Sequence, residues 1–227
     1  MNIVKAYRQP ITLCNSSDPM PECFFVFVNM NNPITKQNIQ ATHGITSGSI
    51  GEIFASEKLQ DKYENGTIDY TPYIPNGSVD IHGLSMHSVN SGSSYRIEYN
   101  CELYRRQHEK TKLYPSRMSC IYAFSDYKSC VDAANKYHWD INSVKEFMLV
   151  KLPYTRVAKV NMEVISLIRG SEPIATINPE EQEKIWGHYW SGGGNMSIAR
   201  STEYEELSNS GVIWEYLVEG RLELIEN

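Results

Sequence analysis

VIWEYLVEGRLELI, residues 212–225, holds two apolar runs that meet at Glu219-Gly220. Both runs are rich in β-favouring residues, so each predicts a strand, and the Glu-Gly junction predicts a hairpin between them. The first run carries a charge in its middle. With a period of two, Ile213, Glu215 and Leu217 share one face, and Trp214, Tyr216 and Val218 share the other. A carboxylate at that place is costly unless it is paired, solvated or used. One reading is an edge strand with Glu215 facing water. The other is a carboxylate held rigidly in a cleft, where it stabilises a cationic transition state or bonds a ribose hydroxyl.

Upstream, SRMSCIYAFSDYKSCVDAANKY (Ser116 to Tyr137) reads as a short strand, SCIYAF, running into a helix. Asp126 suits the N-cap, and Tyr127, Cys130, Val131 and Ala134 fall on one helical face extending to about His138. Before the break at Pro115, Ser94 to Lys110 predicts a helix in which Ile97, Cys101 and Tyr104 recur near helical spacing. Its basic residues gather at the C-terminal end, where they complement the macrodipole. ECFFVFVNM (Glu22 to Met30) predicts the first strand. EFMLVKL, RVAKV and EVISLI predict three more strands. Asn178 followed by Pro179 opens a helix over NPEEQEKIWGHYW. Ser191 to Gly211, with three consecutive glycines, reads as a long loop. Residues 31–94 are rich in Asn, Ser, Gly and Pro and predict a loop-rich elaboration on a single domain spanning 1–227. Strands too closely spaced for repeated βαβ crossovers predict an α+β fold with mixed or antiparallel sheets.

Composition narrows the function. The chain has 227 residues, 41% apolar and 21% charged, which suits an ordinary soluble domain. Fifteen tyrosines, apolar in body and polar at the tip, suit a cleft lining. The net charge of −6 opposes whole-molecule attraction to nucleic acid. A local patch runs against this trend: Arg105, Arg106, Lys110, Lys112 and Arg117 face only Glu109, with His108 among them. The alternative for this run is a solvated helix end. Five cysteines without a C-x-x-C pair support neither a zinc site nor a disulfide framework, and Cys120 and Cys130 read as core thiols. No apolar leader and no run long enough for a membrane span is visible, so a cytoplasmic location is the expectation.

Taken together, IYAFSDYKSCVDAANKY and EYLVEG resemble two elements of the ADP-ribosyltransferase superfamily, the fold shared by diphtheria-type toxins and poly(ADP-ribose) polymerases. There a Tyr- or Ser-bearing strand enters a Ser-Ala-type helix, and the catalytic Glu opens a late strand similar to E-x-L-I-x-x-G. YPSRMSCIYAF, with CELYRR just before it, is similar to a bacterial and phage branch of that superfamily. The resemblance covers about residues 95–227. It implies split mixed or antiparallel sheets with flanking helices, and NAD as a substrate lying between them. It implies Glu215 as the catalytic residue at the nicotinamide ribose. Tyr122 is implied to stack on the nicotinamide ring, Ser119 and Ser129 to hydrogen-bond beside it, and Arg117 to face the pyrophosphate or the acceptor. The glycine-rich loop stands where the family recognises its acceptor. The alternatives are a core Tyr122 with a satisfied hydroxyl and an Arg117 in a surface salt bridge.

The chain departs from the family in two places. The opening strand offers no His or Arg to the adenosine ribose; Asn29 is its only polar residue, and His82-Gly83 or His43-Gly44 are the rivals for that role. Ile213 stands two residues before Glu215, where arginine-modifying relatives carry Glu or Gln, so arginine is not expected as the acceptor. The resulting expectation is a mono-ADP-ribosyltransferase, a toxin or phage-conflict effector, possessing an antitoxin in some settings. The basic stretch inclines its macromolecular acceptor toward RNA or DNA, and the acidic whole inclines it toward protein. The rival expectations are a catalytically inactive binding module of the same fold and a plain interaction protein. No P-loop lysine, G-x-S-x-G elbow or metal-ligand spacing competes with these.

Overall fold

Residues 12–47, 93–117, 119–152, 155–169, 179–199 and 207–226 are described by the structure, a computed structural model. In chain order the elements are β1 (Cys23–Phe27), α1 (Pro33–Thr42), β2 (Gly44–Thr46), α2 (Ser93–Gln107), β3 (Ile121–Ala123), α3 (Tyr127–Tyr137), a 3-10 turn (Ile141–Ser143) and β4 (Val144–Val150). They continue with β5 (Arg156–Asn161), α4 (Met162–Arg169), α5 (Pro179–Trp190), β6 (Ser197–Ala199), β7 (Leu207–Asn209), β8 (Trp214–Glu219) and β9 (Arg221–Leu224). The class is α+β.

All strand pairs are antiparallel, in a four-stranded sheet ordered β1-β4-β9-β2, a three-stranded sheet ordered β3-β8-β5, and the short pair β6-β7. The expected hairpin at Glu219-Gly220 does not form. β8 pairs with β3 and β5, while β9 pairs with β4 and β2 in the other sheet. Both edges of β8 are already taken, so the chain leaves one sheet at Gly220 and enters the other. Ser47 clamps the crossing: its hydroxyl accepts from the Gly220 N–H at 3.0 Å, and its N–H donates to the Gly220 carbonyl at 2.9 Å. Gly220 has φ +154°, and a Cβ there would lie 3.2 Å from Thr155 Oγ1.

The two larger sheets share a core. Phe24, Val26, Phe147, Leu149 and Leu222 from one meet Ile121, Ala123, Val157, Tyr216 and Val218 from the other. A two-residue bridge, Phe25 with Phe124, also ties β1 to the end of β3. The opposite face of the three-stranded sheet carries Leu217 and Val160 against α2, α4 and α5, where Cys101, Val164, Ile165, Ile185, Trp186, Tyr189 and Trp190 are buried. Helix α3 covers a third cluster with Cys130 and Ala133 on Phe124.

Several local expectations hold and others change. Asp126 caps α3, accepting from the Ser129 N–H at 2.8 Å, and His138 ends it in the left-handed region. The buried face of α3 is Cys130, Ala133 and Ala134; Tyr127, expected on it, is half exposed because it precedes the first turn that touches the sheet. EVISLI forms helix α4, not a strand. Asn161 Oδ1 accepts from the Glu163 N–H at 3.1 Å, an N-cap that outweighs the β-branched content. Residues 31–47, expected within a loop-rich elaboration, contain α1 and the sheet strand β2. The signal was Asn32-Pro33, with Asn32 Oδ1 accepting from the Thr35 N–H at 3.3 Å. The rest of that elaboration lies outside the described residues. None of the five cysteines, all of them described, forms a disulfide. Cys120 and Cys130 are core thiols as expected, and burial pushes the Cys130 thiol up to about 12.

Gly220→Ala places a methyl group against Thr155 at the sheet crossing. It is expected to cost about 1–2 kcal/mol, which lowers the melting temperature by ~3–8 °C for a chain of this size. Thermal denaturation followed by circular dichroism measures the shift, and an unchanged melting temperature would contradict the clamp.

Candidate active site

The site begins with β8. As the middle strand of its sheet it places Glu215 opposite Val160, and the residue is only 4% exposed. The edge-strand reading therefore does not hold. Tyr122 lies opposite Leu217, so Tyr122, Leu217 and Glu215 share the face covered by α2 and α5.

The chain enters β3 through a tight turn after Pro115, where the Ser119 and Cys120 N–H groups donate to the Ser116 carbonyl at 3.2 and 2.9 Å. That turn aims Arg117 inward, and it is 5% exposed. The expectations of a surface salt bridge, or of a side chain facing an acceptor, are both corrected by this burial. The turn is set from upstream by a second buried arginine. Arg105 binds both oxygens of Glu102 through Nε at 3.1 and 3.0 Å, and its Nη1 donates to the carbonyls of Lys112 and Tyr114 at 2.8 Å each. The basic stretch is thus largely internal: Arg105 and Arg117 are buried and Lys112 pairs with Glu109 at 2.6 Å. Its position after an amphipathic helix conceals this in the sequence, because nothing local marks Glu102 as an inward partner.

Arg117 Nη1 lies 3.4 Å from Glu215 Oε2 and donates to the Tyr189 hydroxyl. Its guanidinium carbon sits 5.1 Å from the Tyr122 ring centroid and 5.2 Å from that of Tyr189, close enough for cation–π attraction to both. The Tyr122 hydroxyl donates to the Arg117 carbonyl, so it is satisfied. Tyr189 is the participant that sequence reasoning missed. Ile185, Trp186, Tyr189 and Trp190 recur at i, i+1, i+4 and i+5 and form the buried stripe of α5, which was a visible signal. Ser119 also reaches the interior. Its hydroxyl is the one buried side-chain polar atom among the described residues with no hydrogen-bond partner. An orphan of this kind is rare in folded proteins and suits a ligand contact.

Other expected residues lie elsewhere. The Ser129 hydroxyl donates to its own helix cap, Asp126, at 2.9 Å, beside the third cluster and apart from the Arg117–Glu215 group. His43 is on the surface, 3.5 Å from Glu226, and Asn29 accepts from the Asn31 N–H in an exposed turn at 3.1 Å. His82 lies outside the described residues. The glycine-rich loop is pinned near the site by Asn161. Its amide donates to the Gly194 and Gly211 carbonyls at 2.9 Å each, and its Oδ1 accepts from the Ile213 N–H at 3.0 Å. Asn161 pairs with Trp214 in the sheet, one residue from Glu215. Ile213 is half-buried and apolar at the position expected to disfavour arginine.

In comparisons with known proteins, no family model matches the chain, and no curated protein matches it.

Removing one partner of a buried ion pair strands the other charge, whereas removing both does not. Arg117→Ala is expected to cost ~3–5 kcal/mol of stability. The double variant Arg117→Met with Glu215→Gln is expected to recover most of that loss. Urea denaturation of the single and double variants measures the coupling, and simple additivity would show that the two side chains do not interact.

Proposed function

We propose that the chain is an NAD-dependent mono-ADP-ribosyltransferase with an ADP-ribosyltransferase-like fold, acting as a toxin or phage-conflict effector on a macromolecule. The observation that carries this reading is Glu215: a carboxylate buried in the middle strand of a small sheet, beside the Tyr122 strand, with Arg117 and the unpartnered Ser119 hydroxyl converging from one turn. Two separate antiparallel sheets joined by a strand that switches between them are compatible with the split arrangement that the resemblance implies.

In this reading NAD is the substrate. Glu215 accepts a hydrogen bond from the nicotinamide-ribose 2′-hydroxyl and stabilises the positive charge that grows on the ribose as the C1′–N bond breaks. The bonding pair leaves with nicotinamide. A nucleophile of the acceptor then bonds to C1′ and gives up its proton. Tyr122 supplies an aromatic face for the nicotinamide ring, and Ser119 a hydrogen bond to its carboxamide. The expected role of Ser129 is dropped, because its hydroxyl belongs to the α3 cap. With Arg105 and Arg117 internal, the case for a nucleic-acid acceptor weakens to the level of the case for protein.

A second reading is favoured by the same ion pair. If Arg117 never leaves Glu215, the chain is an inactive binding module of this fold. Incubation with NAD labelled in the adenylate, together with RNA, DNA and protein fractions, separates the readings. The wild type is expected to release nicotinamide and label one fraction, and Glu215→Gln to lose ~100-fold or more of that rate while retaining its circular dichroism spectrum. Loss of labelling in rising salt would mark nucleic acid as the acceptor. NAD bound without turnover would establish the inactive module instead.

A further inference from the structure

The two buried Arg–Glu pairs of this protein are built differently, and the difference assigns them different roles. Arg105 holds both oxygens of Glu102 at 3.0–3.1 Å and two backbone carbonyls at 2.8 Å, so moving it would break a loop as well as an ion pair. The Arg117 Nη1 to Glu215 Oε2 contact is 3.4 Å, longer than the 2.7–2.9 Å typical of a strong charge-assisted bond. Its guanidinium is held instead against two aromatic rings, at 5.1 and 5.2 Å from Tyr122 and Tyr189. A planar delocalised cation, two π faces and one carboxylate thus meet at one place. Ser119, with its buried and unpartnered hydroxyl, belongs to the same turn as Arg117.

We propose that this place is a binding site for a planar monocation and that Arg117 is its internal occupant, closing the site until a planar cation of the substrate displaces it. The inference rests on the reading above, in which the N-alkylated pyridinium ring of NAD is that cation. The exchange replaces one planar cation by another, so the buried Glu215 carboxylate keeps a positive partner throughout. It also turns Arg117 outward, where its fork matches the oxygens of a pyrophosphate. A bare pyridinium must therefore expel Arg117 without offering it a new partner. A dinucleotide supplies both halves of the exchange.

Titration calorimetry with 1-methylnicotinamide, a pyridinium cation without ribose or phosphate, tests the occupant. Arg117→Met removes the guanidinium and keeps the stem, and is expected to bind this probe at least ten-fold more tightly than the wild type. Tyr189→Phe keeps the ring and removes the hydroxyl that accepts from Arg117; it is expected to gain a few-fold, and it provides the test should Arg117→Met not fold. The gain is expected to vanish when Glu215→Gln is added to Arg117→Met. Equal binding by the wild type and both single variants would overturn the proposal, as would a gain that persists without the carboxylate. NAD cleavage measured in parallel separates the two ideas. A gain in probe binding without nicotinamide release from NAD keeps the occupant and defeats the transferase. Cleavage by the wild type without any gain keeps the transferase and defeats the occupant.

Discussion

A carboxylate in the middle strand of a sheet has no water to rely on, and much of this structure follows from supplying Glu215 with partners. β8 has neighbours on both edges, and its residues from Glu215 to Glu219 are all buried. A charge there requires a counter-charge brought from elsewhere in the chain. Arg117 provides it from 98 residues away in sequence. The same double pairing of β8 prevents β9 from folding back on it. The strand must continue into the second sheet, and Gly220 is where it crosses.

Arg117 reaches inward because its approach is fixed upstream. Arg105, locked to Glu102, takes the carbonyls of Lys112 and Tyr114, and this pins the segment that leads to Pro115. The turn at 116–120 follows directly, and β3 begins at its end. On the other side Asn161 performs the corresponding task. One fully buried amide closes β5, caps α4, and holds the glycine-rich segments at Gly194 and Gly211 together with the backbone of Ile213. Two polar side chains, each making several bonds to backbone, thus determine where the strands that carry Tyr122 and Glu215 start.

What could be read from the sequence was local. The period-two pattern of residues 213–218 gave the correct faces of β8, and the Asp126 cap gave the start of α3. Asn-Pro announced α5, and the same pair at Asn32-Pro33 announced α1, where the surrounding polar composition obscured it. What could not be read was partnership. A Glu-Gly junction shows that the chain changes course, but not whether the next strand returns to the same sheet. Val164 and Ile165 favour a strand, and only the Asn161 side chain, engaged with distant backbone, tips 162–169 into a helix. Arg105 and Arg117 belong to a run that looks solvated, and their burial depends on Glu102, Glu215 and Tyr189 arriving from three different elements. Of the five expected site residues, Glu215, Arg117, Tyr122 and Ser119 meet on β8 and at the entry to β3. Ser129, on the same strand–helix unit, is drawn away by its own cap.

Buried ion pairs are weak devices for stability, because apolar residues of similar volume often do as well. A fold that keeps two of them close together therefore invites separate explanations for each. The Glu102–Arg105 pair has a structural one, since its arginine also ties down a loop through two carbonyls. The Arg117–Glu215 pair lacks that breadth of anchoring in its geometry: its contact is long, and its guanidinium rests on ring faces that would serve any flat cation equally well. The neighbouring Ser119 hydroxyl, buried with no partner, breaks a rule that the rest of the described interior obeys. Local rules are most often broken where a protein binds something. The loose pair and the orphan hydroxyl sit together at the one carboxylate that the sheet places deepest, and that coincidence directs attention to this site before any other on the molecule.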